Sequence, residues 1–174
     1  PQIVQGMGFS NSQTGVVVAL PYAMAMGAMI LWGRSSDRRG ERIWHVALPA
    51  LLAAAGLVVV SITESDLISF VALTVAVIGI LCANALVFSL PGSFLRGPAA
   101  AGGIALIVSI SSLGGFLGPT IVGVLKERSG GYASGMAALA LGLVLSAAIV
   151  LVLGRAMAPR PMFGSNARSH KGQL

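Results

Sequence analysis

The sequence predicts an all-α, polytopic membrane protein, a bundle of five transmembrane helices. Of its 174 residues, 56% are hydrophobic and only 9% are charged, whereas soluble domains carry about 25% charged residues. The charged residues lie between five uncharged stretches, each long enough to cross a bilayer as a helix. A strand of a membrane barrel needs only about ten residues of alternating polarity, a pattern that these stretches lack.

The spans follow one another with short polar connections. In chain order the predicted spans are residues 14–32, 43–62, 67–94, 99–125 and 132–154. None of the connections is long enough to hold a separate domain. The sequence therefore predicts three regions: residues 1–13, an outer loop with the end of a truncated helix; residues 14–154, the five-helix bundle; and residues 155–174, a polar cytoplasmic tail.

Lys and Arg are distributed unequally between the two sides of the predicted bundle. Nine of the 11 fall in residues 34–42, in residues 95–98 and in the tail, while the opposite side has only Lys126 and Arg128. Because positively charged short loops stay on the cytoplasmic side, we expect a multi-pass protein of the inner cell membrane with a cytoplasmic C-terminus. Five helices that start outside suggest a six-helix unit without its first helix.

Composition argues against several classes of function. The net charge is +6, but no basic stripe is interleaved with aromatic residues, so we expect anionic lipid headgroups rather than nucleic acid as the partner. Cys82 is the only cysteine and lies in an apolar span, and all five acids lie in loops. We therefore expect no disulfide, no metal, no cofactor and no enzymatic activity. His45, beside Trp44 at the start of a span, is expected at the level of the lipid headgroups.

The densest charge lies in GRSSDRRGER, residues 33–42. We expect its first glycine to let a neighbouring helix approach and its second to adopt the positive φ of a tight turn. Its aspartate can accept backbone N–H groups or pair with an arginine. Such an ion-pair cluster would be a latch that holds in one packing arrangement and breaks in another, although a simple cytoplasmic anchor would also collect arginines. The residues of the expected gating latch are Gly33, Asp37, Arg38, Gly40 and Arg42.

The spacing G-x-x-x-D-R-x-G-x-R resembles the cytoplasmic loop signature of the major facilitator superfamily. Its surroundings are similar to one branch, the anion:cation symporters. The similar segments are residues 21–22, 32–34, 36–38, 41–42, 44–45 and 88–119. The resemblance covers about residues 1–155 and implies helices eight to twelve of a twelve-helix carrier, hence five helices of an incomplete six-helix major-facilitator half.

Three residues depart from the family pattern. Where the superfamily prefers a basic residue after the second glycine, this chain has Glu41. The branch usually has asparagines in the eleventh helix, where this chain has Val108 and Ser112.

The resemblance implies alternating-access transport of a small organic anion, such as a sugar acid, a dicarboxylate or an aromatic acid, usually driven by protons. The missing N-terminal half of the carrier would be the partner and would supply the charged groups, because no predicted span contains Asp, Glu, Lys or Arg. Polar residues inside spans are the candidates for lining this half of the substrate path. Each also has a structural explanation: a helix–helix hydrogen bond, a core aromatic or back-bonding within a helix. These candidates are Asn84, Tyr22, Ser109 and Ser112.

Small residues leave a second class of function open. Gly114 and Gly118 lie four apart in the fourth span and predict close helix packing. Such packing suits a carrier whose helices slide, and equally a non-transporting membrane scaffold or subunit that packs with partner helices. In a scaffold, Asp37 and Arg38 would matter only for membrane insertion.

Overall fold

The computed structural model describes residues 8, 10–89 and 98–157, which form five α-helices. Each of these five is long and apolar enough to cross a membrane. The predicted all-α, multi-pass membrane bundle is therefore confirmed for the described part of the chain. Predictions for the end of the third span, for the loop at residues 95–97 and for the tail beyond residue 157 lie outside the described residues. The helices are α1 Asn11–Arg39, α2 Ile43–Ile62, α3 Asp66–Val87, α4 Pro98–Ser129 and α5 Ala133–Met157.

The first helix is longer than its predicted span at both ends. It begins at Asn11 because Ser10 and Gln13 form a reciprocal capping box: the Gln13 N–H donates to Ser10 Oγ at 3.3 Å, and the Ser10 N–H donates to Gln13 Oε1 at 3.0 Å. It continues to Arg39, so most of the charged segment predicted as a loop is helical. With 29 residues, α1 is roughly 43 Å long and exceeds the roughly 30 Å hydrocarbon core.

The second helix lies at the centre of the bundle, between α3 and α5. On the outside of this central group, α1 packs on α3 and α4 packs on α5. The apolar core is accordingly made by the three central helices, and α1 and α4 keep most of their large apolar side chains exposed. Two clusters form this core, one of Ala54, Leu57, Ala76, Met136 and Ala140 and the other of Ala47, Ala50, Ala83 and Ala147.

Contact between α2 and α3 depends on two glycines, which define the Gly56–Gly79 seam. A methyl group added to Gly56 would lie 2.7 Å from the carbonyl oxygen of Ala72. One added to Gly79 would overlap with the carbonyl oxygen of Pro49 and lie 2.9 Å from the Cβ of Ala53. Only residues without a side chain fit here, so the two backbones approach as in small-residue membrane helix pairs.

The close packing predicted for α4 is not found at the predicted glycines. A methyl group at Gly114 or Gly118 would meet nothing within 4 Å, because α4 lies at the edge of the bundle. Its contact with α5 instead depends on Gly135, where a methyl group would lie 2.9 Å from Val122 Cγ1.

Four helices reach one end of the bundle, which we call the Gly40 end. Here α1 ends, α2 begins after a three-residue turn and α3 ends. The last turns of α5 reach the same end, because Gly154 packs directly against the side chain of Ile43. The opposite end carries the short connection between α2 and α3 and is called the Thr63 end.

Candidate functional site

Gly40 ends α1 by adopting a left-handed conformation with φ of 62°. Its N–H donates to the carbonyl of Asp37, and the N–H of Glu41 donates to the carbonyl of Ser36 at 3.3 Å. The completely buried Ser36 returns a hydrogen bond from its Oγ to the Glu41 carbonyl at 2.8 Å. The turn predicted at this glycine is confirmed. The close approach predicted at Gly33 is not found within the described part of the chain, where a methyl group at this position would meet nothing within 4 Å.

Arg42 joins the ends of α1 and α3. Its Nη2 lies 3.5 Å from Asp37 Oδ1, and its Nη1 donates to the carbonyl of Ser89 at 3.1 Å. The carboxylate is 67% exposed, so the ion pair itself contributes about 0–1 kcal/mol. The bond to Ser89 places a cation beside the last carbonyls of α3, where the helix dipole favours positive charge. Arg42 is therefore a bridge between two helix ends, as a latch requires.

Glu41 caps the start of α2 with both carboxylate oxygens. Oε1 accepts the Trp44 N–H at 2.9 Å, and Oε2 lies 2.9 Å from His45 Nδ1. Partial burial alone would raise the pKa of Glu41, but the hydrogen bonds from the Trp44 N–H and from His45 outweigh it, so the pKa lies below the ordinary 4.5. A carboxylate here also complements the positive end of the α2 dipole. This gives a physical role to the acid that departs from the family pattern.

His45 is buried, with 4% of its surface exposed, so its side chain packs among protein groups, while its depth at the level of the headgroups stays a prediction. Its ring lies 5.1 Å from that of Trp32, tilted by 50°, and its Nε2 is 3.3 Å from Ser35 Oγ. The Trp32 Nε1–H donates to the His45 carbonyl at 2.8 Å. In a regular helix that carbonyl would accept from residue 49, but Pro49 has no N–H. The indole of α1 thus satisfies the acceptor that Pro49 leaves free.

These contacts combine into one cluster at the Gly40 end, which we call the α1–α2–α3 junction. It is formed by Trp32, Ser35, Ser36, Asp37, Gly40, Glu41, Arg42, His45 and Ser89. Arg38, predicted as part of the latch, is exposed and makes no ion pair with any described residue. Among the described residues no group of His, Cys, Asp and Glu could hold a metal ion. The junction can therefore hold helix ends together or release them, and it offers no groups arranged for covalent chemistry.

The four candidate lining residues are not gathered into one site. Tyr22 on α1 is 55% exposed, and the exposed amide of Asn84 on α3 has no hydrogen-bond partner among the described residues. These two lie on helices that pack together, Tyr22 near the middle of α1 and Asn84 one turn from the end of α3. Ser109 and Ser112 lie on α4 and donate to the carbonyls four residues earlier, each at 2.9 Å. That bonding is the structural explanation considered for them.

Sequence reasoning missed most of the buried part of the junction. The signals were present in the spacing: Glu41 and His45 lie four apart, a distance that faces two side chains on one helix turn. Pro49 follows His45 by four residues and marks a free carbonyl. Ser36 and Ser89 gave no signal, because the Ser36 hydroxyl binds a backbone carbonyl and Ser89 offers Arg42 only its own backbone carbonyl, 47 residues away in the sequence.

Comparison with known proteins places the chain in a family. The family model of the Major Facilitator Superfamily matches residues 1–119. The chain belongs to the Major Facilitator Superfamily. Two putative tartrate transporters of Agrobacterium vitis are similar to this Major Facilitator chain, at 46% identity over 89% of the chain and at 42% over 98%. The putative metabolite transport protein NicT of Pseudomonas putida is 32% identical over 88% of the chain.

The Major Facilitator chain spans only part of these relatives. It covers 36% of the first tartrate transporter, 38% of the second and 36% of NicT. No solved structure is significantly similar to it.

Proposed function

We propose that this chain is part of a secondary active transporter that moves a small organic anion, a carboxylate, across the cytoplasmic membrane by alternating access, driven by protons. The observation that carries the proposal is similarity to two putative tartrate transporters over nearly the whole chain. Tartrate is a dicarboxylate, which agrees with the organic-anion class that the sequence resemblance implies. NicT, named as a metabolite transport protein, supports the broader class of small organic substrates.

The α1–α2–α3 junction supplies a mechanism for gating. Arg42 and the Glu41–His45 pair connect α1 to α2 and α3 through side chains that lie at helix ends. Such contacts are made or lost together when helices tilt, so they favour one packing arrangement over another. We propose that Gly33, Asp37, Arg38, Gly40 and Arg42 act in this gate, with Glu41 and His45 added to them. The bias of Lys and Arg toward the Gly40 end supports a cytoplasmic location for the gate and for the C-terminus.

Tyr22 and Asn84 are the better candidates for the substrate path. Both expose a polar group on adjacent helices, and an unpartnered amide inside a span requires a polar or wet surrounding. Ser109 and Ser112 stay secondary candidates because their hydroxyl protons are used within α4. The proposal assigns the proton-titrating groups and the other wall of the path to the missing N-terminal half of the carrier.

A chimera tests the proposal directly. This chain replaces the matching segment of the 42% identical tartrate relative, and uptake of radiolabelled tartrate into proteoliposomes is measured with and without an inward proton gradient. We expect gradient-dependent uptake that unlabelled dicarboxylates compete away. If the parent relative transports tartrate while an equally inserted chimera does not, the proposed substrate class fails for this chain.

Gate variants in the same chimera separate transport from the second candidate function, a non-transporting scaffold or subunit. The exposed apolar faces of α1 and α4 favour that alternative as well, because they offer surfaces for partner helices. We expect Asp37→Asn and Arg42→Gln to slow uptake at unchanged membrane levels, with Arg155→Gln on α5 as the matched control. A scaffold predicts that these variants alter only the amount of inserted protein.

A further inference from the structure

A groove lined by arginines lies on α1 beside the junction, with which it shares Ser35. It has a volume of about 400 Å³ and is lined by Leu31, Arg34, Ser35, Arg38 and Arg39. We propose that this groove binds the phosphate of an anionic phospholipid of the phosphatidylglycerol class, with its acyl chain along α1. The inference does not depend on the transport function proposed above, since it concerns only this face of the helix.

The three arginines have no carboxylate partner among the residues that the structure describes. Of the two acids at the Gly40 end, Asp37 pairs with Arg42, and Glu41 is occupied by Trp44 and His45. The other three acids of the chain belong to the opposite ends of α2, α3 and α4, and the residues that the structure does not describe contain no Asp or Glu. Three positive charges therefore stand together with no acidic side chain of this chain to neutralise them.

The phosphate of a lipid headgroup fits this surplus of positive charge. Guanidinium groups bind phosphate oxygens with paired, charge-assisted hydrogen bonds. The groove lies at the end of α1, where the helix leaves its apolar part, and we expect this end at the level of the lipid phosphates. The C-terminal dipole of α1 opposes an anion with about half a charge, which three arginines exceed.

The apolar half of a phospholipid also has a surface to occupy. Leu31, which lines the groove, is 69% exposed. Leu20 and Met24 are exposed as well and recur on the same side of the helix at the spacing that continues from Leu31. The face of α1 that packs inside the bundle is a different one, marked by the buried Pro21 and Ala25, which lie roughly 80–120° around the helix from Leu31. A headgroup in the groove would thus leave its acyl chain beside an open apolar stripe.

Binding of a short-chain lipid to the purified chain in detergent tests the proposal. Dioctanoyl-phosphatidylglycerol is titrated by calorimetry, with dioctanoyl-phosphatidylcholine and sodium phosphate as comparison probes. We expect dioctanoyl-phosphatidylglycerol to bind more tightly than dioctanoyl-phosphatidylcholine or sodium phosphate. Arg34→Gln should weaken it about fivefold and Arg34→Gln/Arg39→Gln about 25-fold, from roughly 1 kcal/mol per basic residue near a membrane surface.

The matched control is Arg155→Gln, which removes an exposed arginine of α5 outside the groove, and circular dichroism checks that each variant keeps its helices. Equal weakening by Arg34→Gln and Arg155→Gln would mean diffuse attraction and would overturn the proposal. Equal affinity for phosphatidylcholine would overturn it too, and so would equal affinity for sodium phosphate, which would identify a free-phosphate site. Loss of lipid binding in the full-length chimera would mean that other carrier helices cover the groove, which also rejects it.

Discussion

Glu41 and His45 form a hydrogen-bonded pair across the first turn of α2, with 2.9 Å between Oε2 and Nδ1. The pair couples the start of α2 to α1, because the same histidine contacts Ser35 through its other ring nitrogen and Trp32 through its ring face. The buried side chain of His45 therefore links the start of α2 to α1.

The first prediction concerns the pH dependence of stability. Because the pKa of Glu41 in the folded state lies below its ordinary 4.5, its ionised form stabilises the fold fully above about pH 4.5, and this stabilisation is lost as the pH falls through the lower folded value. We expect Glu41→Gln to lower the melting temperature at about pH 7, where the carboxyl is ionised, and to have a progressively smaller effect as the pH falls below about 4.3. Tryptophan fluorescence during heating in detergent measures both curves.

The control for this prediction is Glu127→Gln, which removes an exposed acid at the far end of α4. Its melting curve should follow that of the unmodified chain across the whole pH range. A constant offset between the unmodified chain and Glu41→Gln at every pH would contradict the assigned linkage.

The second prediction concerns the buried ring of His45. Phenylalanine at this position keeps an aromatic ring against Trp32 but removes both ring nitrogens, so Glu41 loses a partner in a partly buried site. We expect His45→Phe to reduce the free energy of unfolding by about 1–3 kcal/mol. The neighbouring Trp44 is half exposed and serves as the comparison. Trp44→Phe should change the free energy of unfolding by about 0.5 kcal/mol or less. Equal losses for the two variants would mean that the ring nitrogens contribute nothing specific.

The third prediction concerns the Gly56–Gly79 seam. Alanine at position 79 would press its methyl group into the backbone of α2 at Pro49 and Ala53, and overpacking of this kind costs about 1–3 kcal/mol. Gly27 on α1 is the matched control, because nothing lies within 4 Å of an added methyl group there. We expect Gly79→Ala to lower the melting temperature and Gly27→Ala to leave it unchanged or raise it. An equal response from both would disprove the close contact between α2 and α3.

The fourth prediction concerns the turn after α1. Alanine at position 40 would have to adopt a φ near 62°, which costs an L-residue with a side chain about 1–2 kcal/mol. Gly33→Ala, seven residues earlier in a regular and open part of α1, should be neutral or slightly stabilising. Comparing the two melting temperatures checks the prediction. If Gly33→Ala proves the more harmful, the roles assigned to these two glycines are reversed.

The helices were predictable because their lengths and apolar content are set by the thickness of a bilayer. The bounds of α2 agree with the predicted span 43–62, since charged residues stand just before it and a Thr–Glu pair follows. The end of α1 was not predictable in the same way, because Asp37, Arg38 and Arg39 carry charge without ending a helix. Only Gly40, through its backbone conformation, decides where the helix stops.

The site was predictable where the pairing is local and charged, and not where it depends on tertiary packing. Asp37 and Arg42 are five residues apart, so their pairing follows from a tight turn between two helices. The bond from Arg42 to Ser89 crosses 47 residues of sequence and requires knowing that α3 ends beside α1. Burial of His45 likewise depends on the position of Trp32, which periodicity in a uniformly apolar helix does not reveal.

The Gly56–Gly79 seam has a consequence for how the protein is made. The connection between α2 and α3 is only Thr63, Glu64 and Ser65. At the two glycines of the seam the helices meet through backbone and methyl groups, with no charged side chain between them. Two such spans can leave the insertion machinery together as a helical hairpin and reach their final contact in lipid before α4 and α5 have been synthesised. We therefore expect α2 and α3 to pack first, as a helical hairpin, and α5 and then α4 to assemble on this hairpin afterwards.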